Sequence, residues 1–138
     1  MPQAFFFFFF FNDTATTEIY TESIVGSVRC VYETDPKQAP SQQGLIAMGS
    51  HVERALKQGA CGFSTGLVYH PGKYSQTEEI IALAQLAGSA GALYTTHMRN
   101  EGDHLLEAVE EALQIGVEAN VHTHISHHKA AGAANWGK

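Results

Sequence analysis

Ala92-Leu93-Tyr94-Thr95-Thr96-His97-Met98-Arg99 decides how this chain is read: a short apolar, β-prone run that ends in an imidazole and a guanidinium. The same pattern occurs on either side. Upstream, residues 60–63 lead into Ser64-Thr65, and downstream residues 121–125 lead into Ser126-His127-His128-Lys129. From Ala60 to Ala92 is 32 residues and from Ala92 to Val121 is 29, and each interval holds an amphipathic helical pattern. Strand and helix alternating at that period predict parallel βαβ units. The expected fold class is α/β, an incomplete (β/α) TIM-barrel fragment of about three to four βα units with parallel strands. Reactive groups at the carboxyl ends of such strands are where a barrel builds an active site.

The amino-terminal stretch reads differently. Residues 5–11 are seven consecutive phenylalanines, followed by Asn12-Asp13-Thr14-Ala15-Thr16-Thr17-Glu18-Ile19-Tyr20-Thr21. The Phe run is far short of the roughly 20 apolar residues that span a bilayer. No Lys or Arg precedes it, which makes it a poor signal peptide. The decapeptide matches the translation of a common sequencing adapter, and poly-T encodes poly-Phe. Residues 1–21 are therefore expected to be a non-native, disordered tail, with the evolved sequence at 22–138. Those 117 residues suffice for one small domain but not for a barrel of about 250, so 22–138 is expected to be a fragment truncated at both ends.

Composition narrows the partners. Formal charge is −6, of which Asp13 and Glu18 contribute −2, leaving −4. No basic stripe exists to follow a nucleic acid, so none is expected as a partner, nor is a membrane. Cys30 and Cys61 form no CxxC pair and read as reduced thiols of a cytoplasmic protein, Cys61 as a small buried residue.

Residues 23–28 read as a short strand and 30–41 as a loop. Ser41 is placed to cap a helix reaching about residue 58, with Leu45, Met48, Val52 and Leu56 inward. Ser75-Gln76-Thr77-Glu78 has the capping-box pattern, opening a helix that buries Ile80, Leu83, Ala84 and Ala87. Asp103 is expected to cap a third helix with Leu106, Val109 and Leu113 on its apolar face, closed by Gly116.

The strand tips carry the chemistry. Alternation within 121–128 puts Thr123, Ile125 and His127 on one face and His122, His124, Ser126 and His128 on the other. His127, at the strand's carboxyl end, is the candidate metal ligand, imidazole being the commonest protein donor for metals, with Ser126 or Lys129 framing it. His122-Thr123-His124 lies deeper and is expected to be structural, packed beneath helices. Arg99 presents a fork suited to a carboxylate; the plainer alternative is an Arg99–Glu101 surface pair. His97 suits a ligand, acid–base or hydrogen-bonding role. Ser64 and Tyr69 can line a substrate pocket; no GxSxG elbow supports a serine nucleophile.

Three motifs together, Gly59-Ala60-Cys61-Gly62-Phe63-Ser64-Thr65-Gly66-Leu67-Val68-Tyr69-His70-Pro71-Gly72, Thr96-His97-Met98-Arg99-Asn100-Glu101-Gly102 and Ile125-Ser126-His127-His128-Lys129-Ala130-Ala131-Gly132 with Asn135-Trp136-Gly137-Lys138, resemble the N-acyl-D-amino-acid deacylase (D-aminoacylase) branch of the amidohydrolase superfamily. The resemblance runs from about Glu22 to Lys138. It implies a Zn2+-dependent barrel hydrolase that cleaves the linear amide of a small N-acyl-D-amino acid to a carboxylate and a D-amino acid. By motif position it implies His127 as a metal ligand and Arg99, Tyr69, His97 and Ser64 as substrate-binding. The family's amino-terminal H-x-H pair, its cysteine ligand, and the downstream histidine and aspartate lie outside this sequence. Gly26-Ser27-Val28 stands where the family usually has Gly-His-Gly. With the general base outside the chain, the polypeptide alone is expected to be inactive. The other readings are a cyclic-amide hydrolase of the dihydroorotase or hydantoinase kind, and a non-catalytic ligand-binding barrel fragment.

Overall fold

The computed structural model describes residues 5–10, 25–29, 39–70 and 72–137. Cys30 and most of the expected 30–41 loop lie outside them. Three helices alternating with three strands form the body of the fold: α1 (Gln42–Lys57), β3 (Ala60–Gly66), α2 (Thr77–Ser89), β4 (Leu93–His97), α3 (Leu105–Glu118) and β5 (His122–Ser126). Strands β3, β4 and β5 are parallel and in register, with Phe63 opposite Tyr94 and Thr96 opposite Ile125. Two further strands, β1 (Phe5–Phe10) and β2 (Val25–Arg29), complete a five-stranded sheet of order β2-β1-β3-β4-β5.

Strand β1 corrects two expectations. Phe5–Phe10 is a strand rather than part of a disordered tail, and it runs antiparallel to both β2 and β3, so the sheet is not wholly parallel. The physical reason is the edge of β3, a row of amide and carbonyl groups that accepts a run of high β-propensity.

One face of the parallel strands is packed under the helices. Phe63 and Tyr94, both fully buried, stack with centroids 5.6 Å apart, beneath Met48 and Val52 of α1, Ile80, Leu83, Ala84 and Ala87 of α2, and Ile115 of α3. Polar groups on this face satisfy each other: Thr65 Oγ1 lies 2.8 Å from the Tyr94 hydroxyl and 3.0 Å from Thr96 Oγ1. By strand alternation, Ser64, Thr95, His97, His122, His124 and Ser126 occupy the opposite face. His122 and His124 are exposed there, not sheltered beneath helices as expected.

The helix ends show where local signals won. Ser41 caps α1 by accepting the Gly44 amide at 3.1 Å. Gly59 ends that helix and Gly91 the next, at φ of 99° and 68°, values that Gly adopts without a Cβ penalty. The expected capping box at Ser75 does not form. Gln76 is the N-cap of α2, with no side-chain cap bond, because the Ser75 carbonyl and Thr77 hydroxyl are drawn into an ion-pair cluster described below. Asp103 does not cap α3 either. His104 holds that position, and Asn100 Oδ1 takes the Gly102 and His104 amides.

Helix α3 also turns a different face inward. Leu105, Ala108, Ala112 and Ile115 are buried, whereas Leu106 and Leu113 remain more than half exposed. Gly116 does not end α3. It lies within the helix where a Cβ would meet Thr123 Oγ1 at 2.5 Å, so its lack of a side chain lets α3 approach β5.

Candidate active site

The tips of β3, β4 and β5 bring Tyr69, His97, Glu101, His127 and Lys129 together. His97 is the last residue of β4, pointing away from the helices, and Leu67 continues the ladder by donating its amide to the His97 carbonyl at 2.9 Å. The Tyr69 ring meets the imidazole of His97 edge-on at 5.1 Å. Gly66 makes this possible, because a Cβ there would stand 3.0 Å from Tyr69 Cδ2.

His127 approaches from the other side, its ring centroid 5.4 Å from that of His97 with the planes at 66°. Strand alternation alone would send His127 to the helix side with Thr123 and Ile125. The backbone prevents this: His127 has φ of 53°, in the left-handed region that non-glycine residues rarely occupy. That turn carries the ring across to the open face. Strained backbone of this kind concentrates at functional sites.

Glu101 sits behind the pair. Its Oε2 accepts the Lys129 ammonium at 2.6 Å, and its Oε1 faces His97 Nδ1 at 3.8 Å. The second distance is too long for a hydrogen bond, and both of those atoms are buried with no hydrogen-bond partner. The loops are joined again through the backbone, where the Ala131 amide reaches the Glu101 carbonyl at 2.6 Å. Asn135 Nδ2 donates to both Asp103 Oδ1 and the Ala131 carbonyl.

Arg99, expected to bind substrate, is engaged by residues outside the strand-tip cluster. Its Nε donates to Glu111 Oε2 at 2.9 Å, and its Nη2 to Glu111 Oε1 at 2.7 Å and to the Ser75 carbonyl at 2.9 Å. Its Nη1 reaches the Lys73 carbonyl at 2.7 Å. Thr77 Oγ1 adds a bond to the same carboxylate. The guanidinium braces the β3–α2 loop against α3, with its fork filled by Glu111. The alternative Arg99–Glu101 pair is not formed either, since Glu101 faces Lys129. An open cleft of about 420 Å³ beside Arg99 is lined by Lys73, Tyr74, Ser75, Gln76 and Thr77, and by none of the strand-tip cluster.

Ser64 lies within β3 opposite Thr95, buried and two residues short of the strand end. Cys61 is half-buried, and partial desolvation raises its thiol pKa. Sequence reasoning placed His127, His97 and Tyr69 at the site. It missed Glu101 as a member, although the spacing of four residues from His97 at a strand end was a usable signal. Among the described residues no three His, Cys, Asp or Glu side chains converge closely enough to hold a metal by themselves, and no helix is long and apolar enough to cross a membrane.

No protein-family model matches the chain. Among curated proteins it is 43% identical over 122 residues to the N-acyl-D-glutamate deacylase of Alcaligenes xylosoxydans xylosoxydans, spanning 87% of this chain and 25% of that protein. It is 39% identical over 112 residues to the D-aminoacylase of the same organism, spanning 81% and 23%. A crystal structure of D-aminoacylase, described as defining a novel subset of amidohydrolases, superposes with a TM-score of 0.73 at 40% identity over 76% of this chain and 22% of its own. An N-acyl-D-glutamate deacylase from Bordetella bronchiseptica, solved with zinc and a phosphonate mimic of the tetrahedral intermediate, gives 0.72 at 45% identity over 75% and 22%. The chain is homologous to the N-acyl-D-amino-acid deacylases of the amidohydrolase group, over a segment about a quarter of their length.

Proposed function

We propose that this chain is the part of a zinc-dependent N-acyl-D-amino-acid deacylase that carries two metal-binding histidines and one wall of the substrate pocket. Strands β3–β5 with α1–α3 are read as consecutive units of a (β/α) barrel. The reaction is hydrolysis of a linear amide: water adds to the acyl carbon, the C–N bond breaks, and a carboxylate and a D-amino acid leave. The names of the homologues favour a linear over a cyclic amide.

The observation that carries this reading is the approach of His97 and His127 to 5.4 Å at adjacent strand ends, with a carboxylate behind His97. Neutral imidazoles with a second-shell partner suit zinc, whose sites hold three or four protein ligands. His97 and His127 would supply two of them. Bound zinc supplies Lewis acidity and water with a pKa lowered toward about 7. Tyr69 and the Lys129 ammonium are placed to line the pocket beside the pair, with Ser64 deeper along β3. The general base is assigned to a part of the enzyme outside this sequence, so the 138-residue chain alone is read as inactive. A cytoplasmic location fits the cysteine usage, and residues 1–21 are read as foreign to the enzyme.

Exchanging residues 39–137 for the matching segment of a D-aminoacylase tests the reading. The chimera should hydrolyse N-acetyl-D-amino acids and hold zinc, and His127→Ala in it should abolish both. A folded chimera with neither property would refute it.

A further inference from the structure

We propose that His122 and His124 form a metal-chelating pair on the open face of β5, a site for a tetragonally coordinated divalent ion, copper(II) or nickel(II), separate from the strand-tip histidines.

The strand sets the pair. His122 and His124 are alternate residues of β5, so both imidazoles leave the same face of the sheet, from Cα atoms about 6.6 Å apart. The residue between them fixes which face that is. Thr123 turns toward α3, where a Cβ on Gly116 would stand 2.5 Å from Thr123 Oγ1, and the Thr123 hydroxyl donates to the Val121 carbonyl at 3.4 Å. A slip of one residue would drive an imidazole into that close contact. Both rings therefore stay outside, and both are exposed.

The surroundings leave the rings available. Among the described residues neither imidazole takes a hydrogen-bond or ion-pair partner. Their neighbours across on β4 are Leu93 and Thr95, both uncharged, so no cation beside them opposes a metal ion. Strand β5 is the edge of the sheet, which opens the remaining coordination positions to water. His122 stands opposite the first residue of β4, whereas His97, the last, stands opposite Ser126, so the pair lies deeper along the sheet than the strand-tip rings. Two imidazoles with water make an N,O donor set of the kind that suits copper(II) or nickel(II). Zinc sites hold three or four protein ligands, and among the described residues no third His, Cys, Asp or Glu joins these two.

Copper(II) is the probe, titrated at about pH 7.5, where an ordinary imidazole is mostly neutral. The chain used is the 138-residue protein carrying His97→Ala and His127→Ala, which removes the strand-tip pair. Its copper EPR spectrum should show 14N coupling from two imidazoles. His122→Gln or His124→Gln in that background should lower copper affinity about 100-fold, the scale lost when one of two linked donors is removed. His128→Gln should leave the affinity unchanged. Coupling to fewer than two imidazoles overturns the proposal, as does an affinity that neither substitution moves or that His128→Gln lowers equally. The wild-type chain covers the case of a background that fails to fold: there His124→Gln should remove one equivalent of bound copper, and an unchanged stoichiometry overturns the proposal as well. None of these readouts depends on whether the strand-tip histidines bind zinc.

Discussion

His127 reaches His97 because residue 127 leaves the strand with φ of 53°, and the two rings then meet edge to face at 5.4 Å. A left-handed conformation costs an L-residue with a Cβ about 1–2 kcal/mol. Asn tolerates this region better than most residues. Replacing His127 by Asn should therefore leave the urea unfolding midpoint unchanged or slightly raised while removing zinc uptake. A β-branched Val at the same position should lower stability by about 1–2 kcal/mol. Equal destabilisation by Asn and Val would show that the backbone at 127 is not strained as described.

Arg99 offers a cleaner division between structure and chemistry. Its guanidinium is committed to Glu111 and to two loop carbonyls, with the Arg99 and Glu111 side chains 29% and 14% exposed. Arg99→Met should destabilise the chain by about 2–3 kcal/mol, since removing one partner of a largely buried pair strands the other. Arg99→Lys should lose most of the same energy, because an ammonium cannot reproduce the bidentate fork. The double variant Arg99→Met/Glu111→Leu should recover part of the loss, measured by urea denaturation. A role confined to gripping substrate would leave all three midpoints where the wild type has them.

The sequence was most legible where one local signal decides the outcome. Ser41, Gly59 and the parallel strand period are of that kind, and each is found where the pattern put it. Legibility failed where two signals of similar strength compete. On α3 the leucines at 106 and 113 match a helical period as well as the set Leu105, Ala108, Ala112 and Ile115 does. The alanines win because their small side chains let the helix sit close to the sheet. The partner of Arg99 was hidden for another reason: Glu111 is 12 residues away on a different turn of chain, and charge patterning within a motif cannot see it. The positive φ at His127 had only a weak sequence signature, since histidine is enriched in the left-handed region but occupies it in a small minority of cases.

The close approach of α3 to β5 makes Gly116 a test of packing. Alanine is favoured over glycine in a helix by about 1 kcal/mol. Here, however, its Cβ would stand 2.5 Å from Thr123 Oγ1 and 3.2 Å from Thr123 Cβ. Overpacking of this kind costs about 1–3 kcal/mol, so Gly116→Ala should lower stability on balance. Adding Thr123→Ala should reverse the sign and leave the double variant at least as stable as Thr123→Ala alone. Thermal unfolding of the four chains completes the cycle.

Glu79 sets the acid side of the stability profile. Its side chain is buried in α2, with Oε1 lacking a partner, and burial raises its pKa from 4.5 to about 6 against the opposing effects of the Gln76 backbone and Arg99. Below pH 4.5 both folded and unfolded chains carry the proton, and Glu79 contributes nothing. Between 4.5 and about 6 the folded chain holds more protons than the unfolded one, so stability falls as pH rises. Above that window the penalty is complete, about 2 kcal/mol for a shift of this size. Glu79→Gln should therefore stabilise the chain by about 1–2 kcal/mol at pH 7.5 and leave it unchanged near pH 4. Urea unfolding of the two chains across this range measures the difference. A stabilisation that grew toward acid pH would mean that the carboxylate is held by a favourable charge rather than merely desolvated.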